Sequence, residues 1–134
     1  ILFSGSGERM RILLVEDEAP VRILARNFLE KQGYKIIEAG SGAEALKLSP
    51  SVLHSADLLL TDLVMPDGVH GRELAEKLQA IKPGIKIIFT SGYSADVAGR
   101  DFVLDPNLNF LQKPYHPRHL ALTVRDCLDG IRRG

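Results

Sequence analysis

"LLLTDLVMP", residues 58–66, runs three leucines and a threonine into a carboxylate, Asp62, at the point where the apolar run stops. A continuous apolar run reads as a strand covered on both faces, the situation of strands in parallel sheets whose crossover helices lie on either side. The stretch therefore poses a fold and a site together: a buried strand that delivers an acid to its own C-terminal end.

Working outward, the same pattern recurs. "RILLV" (11–15), "YKIIEA" (34–39), "DLLLT" (57–61), "IKIIFT" (85–90) and "NFLQ" (109–112) are the strand candidates. Val21, Leu24, Ala25, Phe28 and Leu29 share one face of a helix, with Pro20 in its first turn and Gly33 closing it. Ser41 to Glu44 reads as a capping box opening the next helix. Leu74, Leu78 and Ile81 mark another, ended by "KPG" (82–84), and Pro117 opens a last one with Leu120, Val124, Leu128 and Ile131 on its face. Between the fourth and fifth strands Gly99 interrupts a poorly periodic segment, so a short helix is expected there. Strand and helix alternating five times mean an α/β fold with a parallel sheet, and right-handed crossovers place helices on both faces.

The bulk numbers set limits. A chain of 134 residues is one domain's worth, with 45% hydrophobic and 25% charged residues, as in a soluble globular protein. Its 17 basic and 17 acidic residues cancel, so it lacks the positive field that non-specific nucleic-acid binding needs, and no direct DNA contact is expected. No apolar run reaches membrane-spanning length, so no membrane contact is expected, and "ILFSGSGERM" does not read as a signal peptide. Residues 1–10 read as a flexible leader and 11–132 as the folded unit. The lone cysteine, Cys127, reads as packing and fits a reducing cytoplasm. His54, His70, His116 and His119 show no metal-binding pattern and read as surface residues.

In parallel α/β sheets, ligand groups collect beyond the C-terminal strand ends. There stand Glu16, Asp17 and Glu18, then Asp62, then Ser91 and Gly92, then Lys113 and Pro114. If the first and third strands are neighbours, Asp17 and Asp62 come close, and two carboxylates about 4 Å apart repel by roughly 4 kcal/mol at an effective dielectric near 20. Protonation or a cation must relieve that, and an all-oxygen set with open positions suits Mg2+ with a phosphate. Asp62 is then the candidate nucleophile, Lys113 a compact positive charge and Ser91 a hydroxyl donor. Glu18 reads as an acid suited to the N-terminus of the first helix rather than a metal ligand.

"LLVEDE", "GYKIIEAGSGAEAL", "LLLTDLVMPDG", "IIFTSGY" and "FLQKP" occur in this order, and together they resemble the receiver domains of two-component response regulators over nearly the whole chain. The resemblance implies a flavodoxin-like (βα)5 domain with strand order 2-1-3-4-5 that takes a phosphoryl group from a phosphohistidine. By motif position Asp62 is the acceptor, Asp17 a direct Mg2+ ligand, Glu16 a ligand through water, and Val64 a backbone-carbonyl ligand. Ser91 rather than Thr90 matches the switch hydroxyl, Phe110 the aromatic switch position, and Lys113-Pro114 a cis peptide bond. A histidine kinase or histidine phosphotransfer protein is the implied partner, and a weak dimer is compatible with the family. The domain itself is no kinase. "TSGYSAD" followed by "NFLQKPYHPRHLALTVRDCL" most resembles C-terminal receivers of hybrid sensor histidine kinases.

This chain departs from the family pattern in four places. Glu16-Asp17 replaces the commoner pair of aspartates, and the loop "MPDGVHGRELA" (65–75) reads one residue longer than the usual form. Val64 and Tyr93 are bulky beside the site, which would alter water access and acyl-phosphate lifetime, and the fourth helix is weakly written. The rivals are weaker. A haloacid-dehalogenase-type phosphatase needs a second aspartate where Val64 stands, and no P-loop is present. A docking module that no longer takes phosphate would have lost Asp62 or Lys113.

Overall fold

The strands are β1 (Arg11–Val15), β2 (Lys35–Ala39), β3 (Leu58–Asp62), β4 (Lys86–Ser91) and β5 (Phe110–Gln112). They pair in parallel throughout, in the order β2-β1-β3-β4-β5. The computed structural model describes residues 9–65, 69–92 and 110–130. The expected fourth helix, Tyr93, the tip of the loop after Met65 and nearly all of the leader lie outside them.

Alternation along the strands sorts the core into two layers. Ile12, Leu14, Leu58, Leu60, Ile88 and Leu111 pack on one side, against Ala25 and Leu29 of α1 (Ala19–Lys31) and Leu120 and Val124 of α5 (Pro117–Asp129). Leu13, Val15, Leu59, Ile87, Phe89 and Phe110 pack on the other. That side is covered by α2 (Gly42–Leu46), α3 (Pro50–Ser55) and α4 (Gly71–Ile81). With both faces buried, three successive residues of β3 are leucines, and each contributes roughly 1.5–3 kcal/mol. That burial offsets the cost of holding charged groups at the strand ends.

Local signals account for the helix boundaries. Gly33 takes φ 103 after α1, a backbone region that other residues avoid. Gly130, with φ 71, does the same after α5. Ser41 Oγ accepts the Glu44 N–H at 3.0 Å, but Glu44 returns its carboxylate to the Gly40 N–H at 2.8 Å rather than to Ser41. The expected single helix after Ser41 is two short ones. Ser49 caps a fresh start and Pro50, which has no N–H to give, occupies its first turn. The expected face of α1 also needs correction. Ala25 and Leu29 are buried, whereas Leu24 is 71% exposed because it lies on the side of α1 that lines an open groove.

At the opposite edge of the sheet, Asp57 Oδ2 accepts the Arg11 N–H at 2.8 Å and Asp57 pairs with Lys82 at 3.8 Å. That acid ties strand starts together. The acids at the other edge are arranged differently.

Candidate functional site

Asp62 is the last residue of β3 and lies across from Thr90 in the ladder. Glu16 and Lys113 stand just past β1 and β5, and backbone bonds hold both in the sheet's frame. The Glu16 N–H donates to Ala39 O at 3.2 Å and the Lys113 N–H to Ser91 O at 2.8 Å. Glu16, Asp62 and Lys113 follow Leu14, Leu60 and Leu111 at the next same-side position. Strand alternation thus carries all three toward the face covered by α1 and α5.

There the side chains meet. Lys113 Nζ lies 2.5 Å from Glu16 Oε1, 3.0 Å from Asp62 Oδ2 and 3.8 Å from Glu18 Oε1. The second Glu16 oxygen accepts the Glu18 N–H at 3.0 Å. Asp17, exposed, completes the group: one carboxylate oxygen each from Glu16, Asp17 and Asp62 lie within 4.8 Å of one another. Glu18 precedes α1 but makes no side-chain cap, and its carboxylate leans toward Lys113 instead.

Glu16 is 3% and Asp62 7% exposed, so water does little to screen their repulsion. Burial first, then the Glu16 charge, pushes the Asp62 carboxyl up to about 7, with Lys113 pulling the other way. Burial also lowers the Lys113 ammonium's pKa, but its bonds to Glu16 and Asp62 outweigh that, and the net shift is upward. Tyr115, two residues on, is pushed up to about 12 by burial and then by Glu16. When ionised, the three clustered carboxylates outnumber the one lysine by two charges. A hard divalent cation with oxygen ligands fits both the donor set and the charge deficit.

The remaining expected residues lie outside this charged cluster. Ser91 ends β4, 2% exposed, and Phe110 begins β5, 4% exposed, within the core layer facing α4. Val64, 52% exposed, follows Asp62 by two residues. The Lys113-Pro114 bond is cis. The four histidines are exposed; His116 Nδ1 accepts the Arg118 N–H at 3.0 Å, and His70 Nδ1 faces the Met65 N–H at 3.5 Å. Cys127 is buried in the core, and that burial raises its thiol to about 11.

Three contributions to the site were not anticipated. Gly71 opens α4 directly behind Asp62: a Cβ there would lie 2.3 Å from Asp62 O, and the Gly71 N–H bonds Leu63 O at 2.9 Å. Arg22 donates from Nη1 to Glu16 O at 2.7 Å. Its signal was a cation in the opening turns of α1, where the helix dipole disfavours one. Finally, Val21, Leu24, Phe28, Pro114, Tyr115 and Leu120 line much of a largely apolar groove of about 590 Å3 that reaches Lys113 and Glu18.

Comparison with known proteins agrees with this fold. The model of the response regulator receiver domain matches residues 12–125. Sensor kinase CckA of Brucella abortus (strain 2308) is 39% identical over 118 residues, covering 88% of this chain and 12% of that protein, so the chain spans about an eighth of that relative. A crystal structure of the receiver domain from hybrid histidine kinase CckA superposes with TM-score 0.72 at 35% identity, covering 88% of this chain and 98% of the other. Response regulator TrrA from Thermotoga maritima, solved in complex with Mg2+-BeF, gives TM-score 0.71 at 30% identity over 88% of this chain and 98% of its own. With the fold, the strand order and a family match over most of its length in agreement, this chain belongs to the response regulator receiver domains of two-component systems.

Proposed function

We propose that this receiver takes a phosphoryl group from a phosphohistidine onto Asp62. The observation that carries the reading is one buried acid, Asp62, held 3.0 Å from a lysine and clustered with two further carboxylates. In the transfer, an Asp62 carboxylate oxygen forms the new P–O bond as the P–N bond to the donor histidine breaks, and that electron pair stays on the imidazole nitrogen. Asp62 must be ionised to attack, and Lys113 favours that form while meeting charge on the phosphoryl oxygens.

Asp17, Asp62 and the Val64 carbonyl would hold Mg2+. Glu16 would act through water, a role that fits both its oxygens being taken by Lys113 and the Glu18 N–H. The solved relative with Mg2+-BeF supports this assignment. Bound Mg2+ supplies charge neutralisation at the transferring oxygens. Ser91 would then close on the phosphoryl group while Phe110 repacks in the adjoining core layer, a shift between two pre-existing states.

The phosphodonor would be a histidine kinase or a histidine phosphotransfer protein, and the apolar groove beside Lys113 would seat it. Among the described residues no helix is long and apolar enough to cross a membrane. We place the domain in the cytoplasm as a unit spanning 11–132, within a hybrid sensor kinase or a stand-alone regulator.

Incubation with a small-molecule phosphodonor and Mg2+, read by intact mass, tests the core of this. One phosphoryl adduct is expected, lost in EDTA and in Asp62→Asn. A folded wild type that gains none would favour a docking module that does not take phosphate. In the same assay Ser91→Ala should slow adduct formation by roughly one to two orders of magnitude, the scale of one lost hydrogen bond to a charged group, and Thr90→Ala by far less. The reverse ranking would move the switch hydroxyl to Thr90.

A further inference from the structure

We propose that Arg22 is a positioning residue that presets the Glu16–Asp17 peptide for a divalent cation, an inference that rests on reading the acidic cluster as the Mg2+ site. The need for such a residue follows from the sheet. Ladder pairing of β1 with both neighbours ends at Val15. Past it, the Glu16 N–H still finds Ala39 O, but the Glu16 carbonyl has run out of strand. Arg22 supplies the partner, donating from Nη1 at 2.7 Å, a short charge-assisted bond. That carbonyl belongs to the peptide linking Glu16 to Asp17, so holding it fixes the plane from which both carboxylates depart.

Arg22 is itself held. Its Nε donates to Glu38 Oε1 on β2 at 3.3 Å, while the other Glu38 oxygen takes Arg26. On a third side it meets Gly40, where an added Cβ would lie 3.3 Å from Nη1. The Arg22 side chain is 21% exposed, so the guanidinium is braced between α1, β2 and the turn after β2 rather than waving in solvent. The Arg22 backbone N–H is engaged as well, donating to Glu18 O at 2.9 Å. Arg26 shares the Glu38 partner without touching Glu16, which makes it a built-in control.

The test is calorimetric titration of Mg2+ into the full chain, with melting temperature recorded in parallel. Arg22→Met keeps the bulk of the stem and removes the donor; it should weaken Mg2+ binding by roughly tenfold, the low end of effects from residues that orient metal ligands. Arg22→Lys, which can still reach a carbonyl, should recover much of that affinity. Arg26→Met should lower the melting temperature comparably to Arg22→Met yet leave Mg2+ affinity within about twofold. An Arg22→Met protein with wild-type affinity would overturn the inference while leaving the metal site intact. If wild type binds no Mg2+ at all, the metal-site reading fails and takes the inference with it. Should Arg22→Met not fold, Arg22→Ala, which offers no donor and suits a helix, takes its place beside Arg22→Lys, and wild-type affinity in the alanine variant would equally overturn the inference.

Discussion

At Asp62 two opposing effects meet on one side chain. Burial and the Glu16 charge favour its proton, Lys113 favours its charge, and the first pair wins, leaving the carboxyl near 7 instead of 3.8. A raised pKa in the folded state contributes stability that is fully present below 3.8 and lost as pH rises through about 7. Asp62→Asn removes that loss. In urea titrations with EDTA, the variant's stability advantage should widen by on the order of 2 kcal/mol between pH 5 and pH 8. A gap that stays flat would show that burial does not govern this carboxyl. Asp57 makes the contrast: an acid at the other sheet edge, tied to the Arg11 N–H and Lys82. Residue type alone does not separate the two; the company at each strand end does.

Elements position these residues through close backbone contact. α4 begins at Gly71 against the Asp62 carbonyl, and alanine there would set its Cβ 2.3 Å from that oxygen. Alanine favours a helix over glycine by about 1 kcal/mol, but the clash is with backbone that cannot rotate away. Gly71→Ala should therefore destabilise by about 1–3 kcal/mol in urea unfolding, the range for overpacking, and slow adduct formation on Asp62 by displacing it. A more stable variant would show that α4 can slide at no cost. Gly42 plays a related part, with Val69 O 2.6 Å from where its Cβ would be. The sequence does not show these close approaches, since the backbone each glycine meets lies outside its own helix.

Across the whole molecule, the site sits at the edge of the core layer under α1 and α5, and the groove between those helices opens beside Lys113. Leu24, 71% exposed, lines that groove without being needed for the core. Leu24→Asp should leave folding and phosphorylation by a small-molecule donor unchanged within about twofold, while slowing transfer from a phosphorylated histidine partner by tenfold or more, since roughly 1.4 kcal/mol of lost contact is a factor of ten. Equal slowing with both donors would place Leu24 in the fold rather than at the partner surface.

The sequence by itself determined the element order, the parallel sheet and the set of acids and lysine at the strand ends. Those properties are local: apolar runs covered on both faces, Pro20, Pro117 and Gly33 at helix boundaries, and charge where each run stops. Even the divided helix at Ser49-Pro50 was written there for a reader of caps. Tertiary structure alone decided which charges touch. That Lys113 would lie 2.5 Å from Glu16, that Arg22 would hold the Glu16 carbonyl, and that Gly71 would back onto Asp62 depend on segments up to 97 positions apart brought together by the strand order. Periodicity tells a residue which face it occupies, but only the packed sheet tells it who stands opposite.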